Sequence, residues 1–446
     1  MERKDIDIKD TWDLSTIYSS DQAFYQDLEK AKSLINDLVS YKNKITNSID
    51  SFYNFMTLKD QVERIINKLY CFAHLNCDVE PNNQTYQTMM ASIMGILEAS
   101  SVQISFVDNE IIENEEKVLT YIKDPKLQKY SYKIHSLLSY KQHILPKEQE
   151  ELLAKVDSIS DTSSQVFDAL RLEVEDVEEN GKKKTLNNAT LNKFLKSKNP
   201  EVRKQAYTNF FKEYRRFENV FAQTLSGVMK KDAFYADVRK FANSLEASVF
   251  DDDVPSDLFF KVLESANVKY RHLFHRYNRL KKEILQMDTI YNYDLNIPLV
   301  SSINKKYTIE QCFTIIKECL KPFGKEYLEI IDKARQERWI DFYPTTGKRI
   351  GAYSSGCYDS NPFILMNFIG DYNSLSTLIH ELGHSAHSYL SNHNQEFVNA
   401  NYRIFVAEVA STVNETLLIN YMNNNAKTDD EKAYFIYEQL ENCVGL

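Results

Sequence analysis

The chain has 446 residues, of which 43% are hydrophobic and 26% are charged, a balance typical of a globular protein with a large core. A formal net charge of −10 argues against a nucleic-acid partner. Only 10 glycines and 9 prolines occur, and this scarcity of helix-breaking residues favours long helices.

The N-terminal sequence, the apolar runs and the cysteine spacing predict the cellular compartment. The N-terminus is charged and lacks the apolar segment of a secretory signal. No run of 18 apolar residues is present, and the six cysteines form no CxxC pair. We therefore expect a cytoplasmic protein with reduced thiols and no membrane span. The sequence leaves the oligomeric state open.

The first part of the chain has the pattern of a helical domain. Trp12 is expected to pack a polar N-terminal arm onto the body, and apolar residues recur at helical spacing from about 21 to 165. Asn180-Gly181 is a strong type I′ turn signal and predicts a β-hairpin. We place a domain border behind it, with an N-terminal helical domain at 1–193 and a catalytic domain at 194–446.

The second part contains two candidate strand regions. Tyr291 to Ile297 alternates between polar and apolar residues and predicts a short strand. Residues 338–369 are rich in aromatics, glycine and proline, which fits a strand–turn–strand structure. An exposed edge there could bind an extended peptide, with Gly351, Ala352 and Tyr353 as candidate contacts.

A metal-binding motif follows at His380-Glu381-x-x-His384. On a helix the two histidines lie one turn apart on one face, where both can reach one Zn²⁺ at about 2.0–2.1 Å. Glu381 is then free to hold a metal-activated water and take its proton. A pattern of only three fixed residues also arises by chance. A catalytic metal site therefore additionally requires a third metal ligand and a groove for the substrate.

The segment around the motif has the pattern of an amphipathic helix. Gly383 costs about 1 kcal/mol of helix stability relative to alanine, which indicates that another element packs closely there. Asp371 and Ser374 are among the candidate N-caps. The predicted buried stripe is Leu375, Leu378, Ile379, Leu382 and Ala386.

The third ligand is sought outside the motif. Metzincins have a histidine six residues after the second one, but this position holds Leu390. His387 lies on nearly the same face, yet binding with both other histidines would strain a straight helix. Glu408 on the next helix is preferred, because a His₂Glu set leaves the open position of a catalytic zinc. Glu415 and His387 are candidates to orient a ligand imidazole.

The carboxylates of Glu408 and Glu415 lie seven residues apart, on one face of the same predicted helix. Apolar neighbours such as Val409 and Val413 predict that both carboxylates are half-buried and in need of contacts.

Five segments of the sequence, the motif segment included, are together specific for one protein family. They are His380–His387, Phe405–Ser411, Gly347–Ser354, Asn361–Asn367 and Trp12–Leu14. With them the whole chain resembles the thimet-oligopeptidase family of zinc peptidases, and within it the oligoendopeptidase F group. The resemblance implies a mostly α, two-lobed, zincin-like metallopeptidase with a small β-sheet next to the active-site helix.

The same resemblance implies the site and the substrates. It implies one Zn²⁺ per chain, held by His380, His384 and Glu408, with Glu381 as the general base. It also implies hydrolysis of internal peptide bonds in short oligopeptides.

Members of that family continue beyond the point where this sequence ends, in an amphipathic pattern at 439–446. We therefore expect a catalytic domain that is incomplete at its C-terminus. The main hypothesis is a zinc metallo-endopeptidase. The alternative is a truncated homologue that binds zinc and peptide with little or no catalytic activity.

Overall fold

A computed structural model describes residues 2–146, 149–150, 152–153, 156, 160–300 and 305–445. The chain is mostly helical with two small sheets, which confirms the predicted fold class. It forms two compact units, each built from two stretches of sequence. The first unit contains Met1–Lys141 and Asn304–Asn425, and the second contains Gln142–Ile303 and Ala426–Leu446.

The predicted border between residues 193 and 194 does not coincide with this division. Residues of the predicted N-terminal domain occur in both units, and so do residues of the predicted catalytic domain. The border therefore stays a prediction about domains, while the units describe which parts of the chain pack together.

Helices and short strands alternate along the chain. The strands are β1 (Val177–Glu179), β2 (Lys182–Lys184), β3 (Ile340–Asp341), β4 (Tyr353–Ser355) and β5 (Phe363–Leu365). The helices are α1 (Asp21–Val39), α2 (Ile49–Val79), α3 (Gln84–Gln103), α4 (Phe106–Glu113), α5 (Glu115–Tyr121), α6 (Ser131–Ser139), α7 (Thr162–Ala169), α8 (Asn188–Leu195), α9 (Pro200–Arg216), α10 (Glu218–Val238), α11 (Ser244–Phe250), α12 (Ser256–Glu264), α13 (Arg271–Ile284), α14 (Ile309–Cys319), α15 (Lys325–Gln336), α16 (Tyr372–Asn394), α17 (Phe397–Ala400), α18 (Ile404–Asn425) and α19 (Asp429–Gly445).

The N-terminal arm is anchored as predicted. Trp12 is 4% exposed and meets the Phe363 ring edge-on, with ring centroids 6.2 Å apart. The backbone N–H of Asp13 donates to the Arg338 carbonyl at 2.8 Å. The arm thus packs against the strand region of the first unit.

One helical segment of the described chain, Gln84–Glu113, has the length and apolar composition of a membrane span. A core helix of a soluble protein passes the same test. Met89, Ile93 and Ile96 on this segment are buried. The expected absence of a membrane span therefore stays a prediction.

The three-stranded sheet of the first unit has the order β3-β5-β4. The central strand β5 is fully buried, and it pairs parallel with β3 and antiparallel with β4. The loop before β4 is held by Lys348, whose buried ammonium donates to Asp341 Oδ1 at 2.7 Å and to the Tyr343 carbonyl at 2.8 Å. The strand–turn–strand prediction is confirmed, and β4 lies at the edge.

In the second unit the hairpin prediction is confirmed. Asn180 and Gly181 have φ of 57° and 73°, as a type I′ turn requires, and they join β1 to β2. A small apolar core forms where the hairpin meets α8 and α9. It contains Val177, Leu186, Phe194, Val202, Ala206 and Phe210.

The strand predicted at Tyr291 to Ile297 is wrong. The segment contains a 3₁₀ turn at Asn292–Asp294. Asp294 is fully buried, where Oδ1 accepts from Arg203 at 2.7 Å and Oδ2 accepts from the Tyr291 backbone N–H at 3.1 Å. A buried ion pair with α9 and a local side-chain cap therefore override the alternating pattern.

Candidate active site

The motif lies on α16, and its helix forms for the predicted reasons. Asp371 caps the N-terminus, since its Oδ1 accepts from the backbone N–H and the hydroxyl of Ser374, both at 2.8 Å. All five residues of the predicted apolar stripe are at most 1% exposed. The opposite side of the helix carries His380 and His384, which are 26% and 17% exposed.

Helix α18 crosses α16 very closely at Gly383. A Cβ placed there would lie 2.7 Å from the Ala410 carbonyl oxygen and 2.9 Å from Ser411 Cα. These separations are shorter than real Cβ contacts, so only glycine allows this approach. The close packing expected from Gly383 is confirmed, and it brings Glu408 to the motif histidines.

Three side-chain atoms converge at this crossing. His380 Nε2 and His384 Nε2 are 3.2 Å apart. Glu408 Oε2 lies 3.6 Å from the first and 3.4 Å from the second. Zinc bonds of about 2.0–2.1 Å at tetrahedral angles separate ligand atoms by roughly 3.3–3.4 Å. The donor set and its spacing therefore fit one zinc ion held by these three residues.

A further carboxylate approaches the far side of one imidazole. Glu415 Oε1 lies 3.5 Å from His380 Nδ1 and 3.5 Å from the hydroxyl of Ser376. The hydrogen bond to Glu415 is the main cause that raises the pKa of His380, against the opposing effect of burial. An acceptor on Nδ1 favours the tautomer whose Nε2 lone pair faces the other two donors.

Glu408 is less buried than its sequence neighbours predicted. Its side chain is 55% exposed, because Val406, Val409 and Val413 are themselves exposed. Ser411 nevertheless donates its hydroxyl to Glu408 Oε2 at 2.7 Å. The half-buried environment predicted for Glu408 is thus wrong, and a serine one turn away holds its carboxylate. The same prediction is confirmed for Glu415, whose side chain is 31% exposed.

Glu381 is the buried carboxylate of the motif, with 6% exposure. Burial raises its pKa to about 7, while His380 has the opposite effect and Glu408 adds to the increase. The backbone N–H of Ser354 in β4 donates to this carboxylate. The hydroxyl groups of Ser354 and Ser385 are also 2.8 Å apart, so β4 lies directly against α16.

The candidate peptide contacts lie on and before this edge strand. Gly351 has φ of 87°, and its carbonyl accepts from Asn367 Nδ2 at 2.8 Å. Tyr353 begins β4, and its hydroxyl donates to Asp78 Oδ2 at 2.7 Å. Ala352 lies between them, half-buried. No described strand pairs with the outer edge of β4.

His387 lies outside the group of three ligand atoms. Its ring stacks on Tyr402, with centroids 3.7 Å apart and planes inclined by 13°. Burial lowers its pKa. The structure therefore places it against an aromatic ring, and its proposed role in orienting a ligand stays a prediction.

One residue that contacts the motif helix, Asn414, escaped the sequence reasoning. Asn414 is fully buried, and its amide donates to the Ile379 carbonyl at 3.2 Å and to the Tyr327 hydroxyl at 3.0 Å. It thereby fixes α18 to the motif helix, directly before Glu415 in the chain. Its polar character on a helix packed against the motif was the available signal.

The chain matches known proteins along its length. Residues 193–445 match the family model of Peptidase family M3, and residues 113–173 match that of Oligopeptidase F. The chain is 36% identical to Oligopeptidase PepF of Bacillus subtilis, covering 100% of this chain and 67% of that protein. It is 29% identical to Group B oligopeptidase PepB of Streptococcus agalactiae, covering 99% of this chain and 74% of that protein.

A solved structure gives the same result for the fold. The crystal structure of oligoendopeptidase-F from Enterococcus faecium superimposes with a TM-score of 0.67 at 27% identity, covering 95% of this chain and 72% of that one. The chain therefore belongs to peptidase family M3, within the oligopeptidase F group.

Proposed function

We propose that this chain is a zinc metallo-endopeptidase that hydrolyses internal bonds of short peptides. Membership of an oligopeptidase family supports peptide substrates. The observation that carries the proposal is the convergence of His380, His384 and Glu408 beside the buried carboxylate of Glu381.

His380, His384 and Glu408 are the residues that would hold the metal. Two imidazoles and one carboxylate form a donor set typical of catalytic zinc. Zinc bound there supplies a Lewis acid that polarises a carbonyl group and lowers the pKa of water. Glu415 and Ser411 keep two of the donors oriented, through His380 Nδ1 and Glu408 Oε2.

Glu381 is the proposed general base. In the metal-free chain burial raises its pKa to about 7, so the carboxylate accepts a proton near neutral pH. It takes the proton of the water that attacks the scissile carbonyl carbon. It then delivers that proton to the amide nitrogen as the carbon–nitrogen bond breaks.

The outer edge of β4 aligns the substrate in this proposal. A peptide added as a further strand would form backbone hydrogen bonds along Tyr353–Ser355, beside the Ser354 N–H that contacts Glu381. Backbone pairing places a peptide bond near the base without demanding a particular side chain.

The test compares Glu381→Gln with the unchanged chain in turnover of a quenched fluorescent peptide. We expect a loss of about 10²–10⁴-fold, because general base catalysis contributes that much, with zinc content unchanged. Glu326→Gln, on an exposed surface of α15, serves as the matched control. Unchanged turnover in Glu381→Gln would contradict the role. A zinc-loaded wild-type chain that binds peptide without turnover would favour the binding-only alternative.

The ligand role of Glu408 is tested separately. Zinc content of the purified Glu408→Ala variant is expected to fall below that of the wild type, because two histidines alone bind zinc weakly. One zinc per chain in this variant, held as tightly as in the wild type, would exclude Glu408 as a ligand.

A further inference from the structure

One carboxylate on helix α2 binds both the edge strand β4 and the loop before it. Asp78 is the second-last residue of α2, and its side chain is 14% exposed. Its Oδ2 accepts from the Tyr353 hydroxyl of β4 at 2.7 Å. The same oxygen accepts from Arg349 Nη1 at 3.3 Å and lies 3.3 Å from His74 Nε2. Asp78 is thus the common contact of the strand, the loop and a preceding turn of α2.

The backbone of the loop is bound at the same place. The Arg349 N–H donates to the Asp78 carbonyl at 2.8 Å. Asn367, which follows β5, donates through Nδ2 to the carbonyls of Arg349 and Gly351 at 3.0 and 2.8 Å. The loop is therefore tied to the C-terminal end of α2 on one side and to the segment after β5 on the other.

The contacts of β4 leave its outer edge open. Successive side chains of a strand point to opposite faces of the sheet. The Ser354 hydroxyl accordingly lies 2.8 Å from that of Ser385 on α16, whereas the Tyr353 hydroxyl donates to Asp78 on α2. Two helices thus hold β4 through its two faces, and no described strand pairs with its outer edge.

The bond between Tyr353 and Asp78 is of the stronger kind. A hydrogen bond to an ionised carboxylate is shorter and stronger than one between neutral groups. Burial raises the pKa of Tyr353, and the bond to Asp78 acts in the same direction, so the hydroxyl keeps the proton that it donates. The His74 ring lies beside Tyr353, with ring centroids 5.7 Å apart, and Tyr70 stacks on His74. The tyrosine is therefore held by its hydroxyl and by its ring.

We propose that Asp78 is a positioning residue for peptide binding, which fixes β4 and its loop in the geometry that an added peptide strand requires. This inference rests on the proposed function, because it concerns the peptide-binding edge of the same site. An edge that is already ordered lowers the free energy that a peptide must spend on ordering it. Asp78 lies outside the group of metal ligands. Its loss should therefore weaken peptide binding much more than it slows the chemical step.

Three variants of the full chain test this role. Tyr353→Phe removes only the hydroxyl that donates to Asp78, and Asp78→Ala removes the acceptor. Asp78→Asn keeps an oxygen that accepts from Tyr353, so it should recover most of the wild-type affinity. Asp37→Ala, on the exposed surface of α1, is the matched control and should behave like the wild type.

The probe is a short fluorescein-labelled peptide of alternating threonine and valine, which favours an extended strand. Fluorescence anisotropy with chelator-treated chain gives its Kd without turnover. We expect the Kd to rise about tenfold in Tyr353→Phe and Asp78→Ala, as for the loss of one hydrogen bond to a charged group. In the zinc-loaded chain, with a quenched form of the peptide, KM should rise similarly while kcat changes much less.

Hydrogen exchange of the free chain reports the positioning itself. Asp78→Ala should speed the exchange of backbone amides in residues 347–355, because the strand and its loop open more often. Amides of α16 should exchange as in the wild type.

Unchanged Kd and unchanged exchange in Tyr353→Phe and Asp78→Ala would overturn the proposal. A fall in kcat at constant KM would also overturn it, since a smaller folded fraction has that effect. A wild-type chain that shows the expected shifts in Kd but never cleaves peptide would refute the proposed function and leave the positioning role intact. Tyr353→Phe retains the whole ring, so it gives the answer even if Asp78→Ala fails to fold.

Discussion

Replacement of Glu381 by glutamine is expected to stabilise the metal-free first unit at neutral and alkaline pH. The side chain is 6% exposed, and burial raises its pKa from the usual 4.5 to about 7. A pKa difference of one between the folded and unfolded states corresponds to about 1.4 kcal/mol. Ionising this carboxyl group therefore costs roughly 3 kcal/mol more in the folded state than in the unfolded state. Glutamine has a similar shape and no charge to bury.

The sign follows from the two pKa values. The folded-state pKa of Glu381 lies above its unfolded-state value. Below about pH 4.5 the carboxyl group is protonated in both states, and its full contribution to the stability of the folded state is present. This contribution is lost as the pH rises through about 7. The advantage of Glu381→Gln in unfolding free energy should therefore be roughly 2–3 kcal/mol larger at pH 8 than at pH 5.

The assay is urea unfolding of chelator-treated protein, followed by tryptophan fluorescence. The chain has two tryptophans, Trp12 and Trp339, and both lie buried in the first unit. Glu326→Gln on the exposed surface of α15 controls for the effect of losing a surface charge. A difference between Glu381→Gln and wild type that is equal at both pH values would refute the reasoning.

Three further predictions concern the packing, the metal and the thiols. Gly383→Ala should destabilise the first unit by at least about 2 kcal/mol in the same assay, because the added Cβ would overlap the backbone of α18. As a control, Gly95→Ala on α3 places its Cβ where no atom lies within 4 Å, and it should stabilise the unit by up to about 1 kcal/mol. Glu415→Gln should weaken zinc binding about 10–100-fold in a chelator competition, and unchanged affinity would exclude its orienting role. Hydrogen bonding by Cys71 and Ser360 lowers the pKa of the Cys357 thiol, so its alkylation by iodoacetamide should rise with pH around a midpoint below the usual 9.0. A midpoint above that value would contradict the lowered pKa.

Local patterns predicted the parts of the molecule that short-range physics determines. The apolar stripe of α16 follows helical spacing, and all five of its residues are buried. Asn180-Gly181 forms the expected turn because both residues tolerate positive φ. The spacing of His380 and His384 likewise brings their Nε2 atoms to 3.2 Å.

Contacts between distant segments account for what sequence reasoning missed. The buried pair of Arg203 and Asp294 converts an apparent strand into a turn, across 91 positions of sequence. The exposure of Glu408 depends on which faces of α18 are covered, and its own sequence neighbours do not determine this.

The most direct test of the metal centre is anomalous X-ray diffraction at the zinc edge on crystals of the 446-residue chain grown with zinc. The proposed function predicts one strong peak in contact with Nε2 of His380, Nε2 of His384 and the Glu408 carboxylate. No peak within bonding distance of these three atoms, or a peak held by other residues, would contradict it.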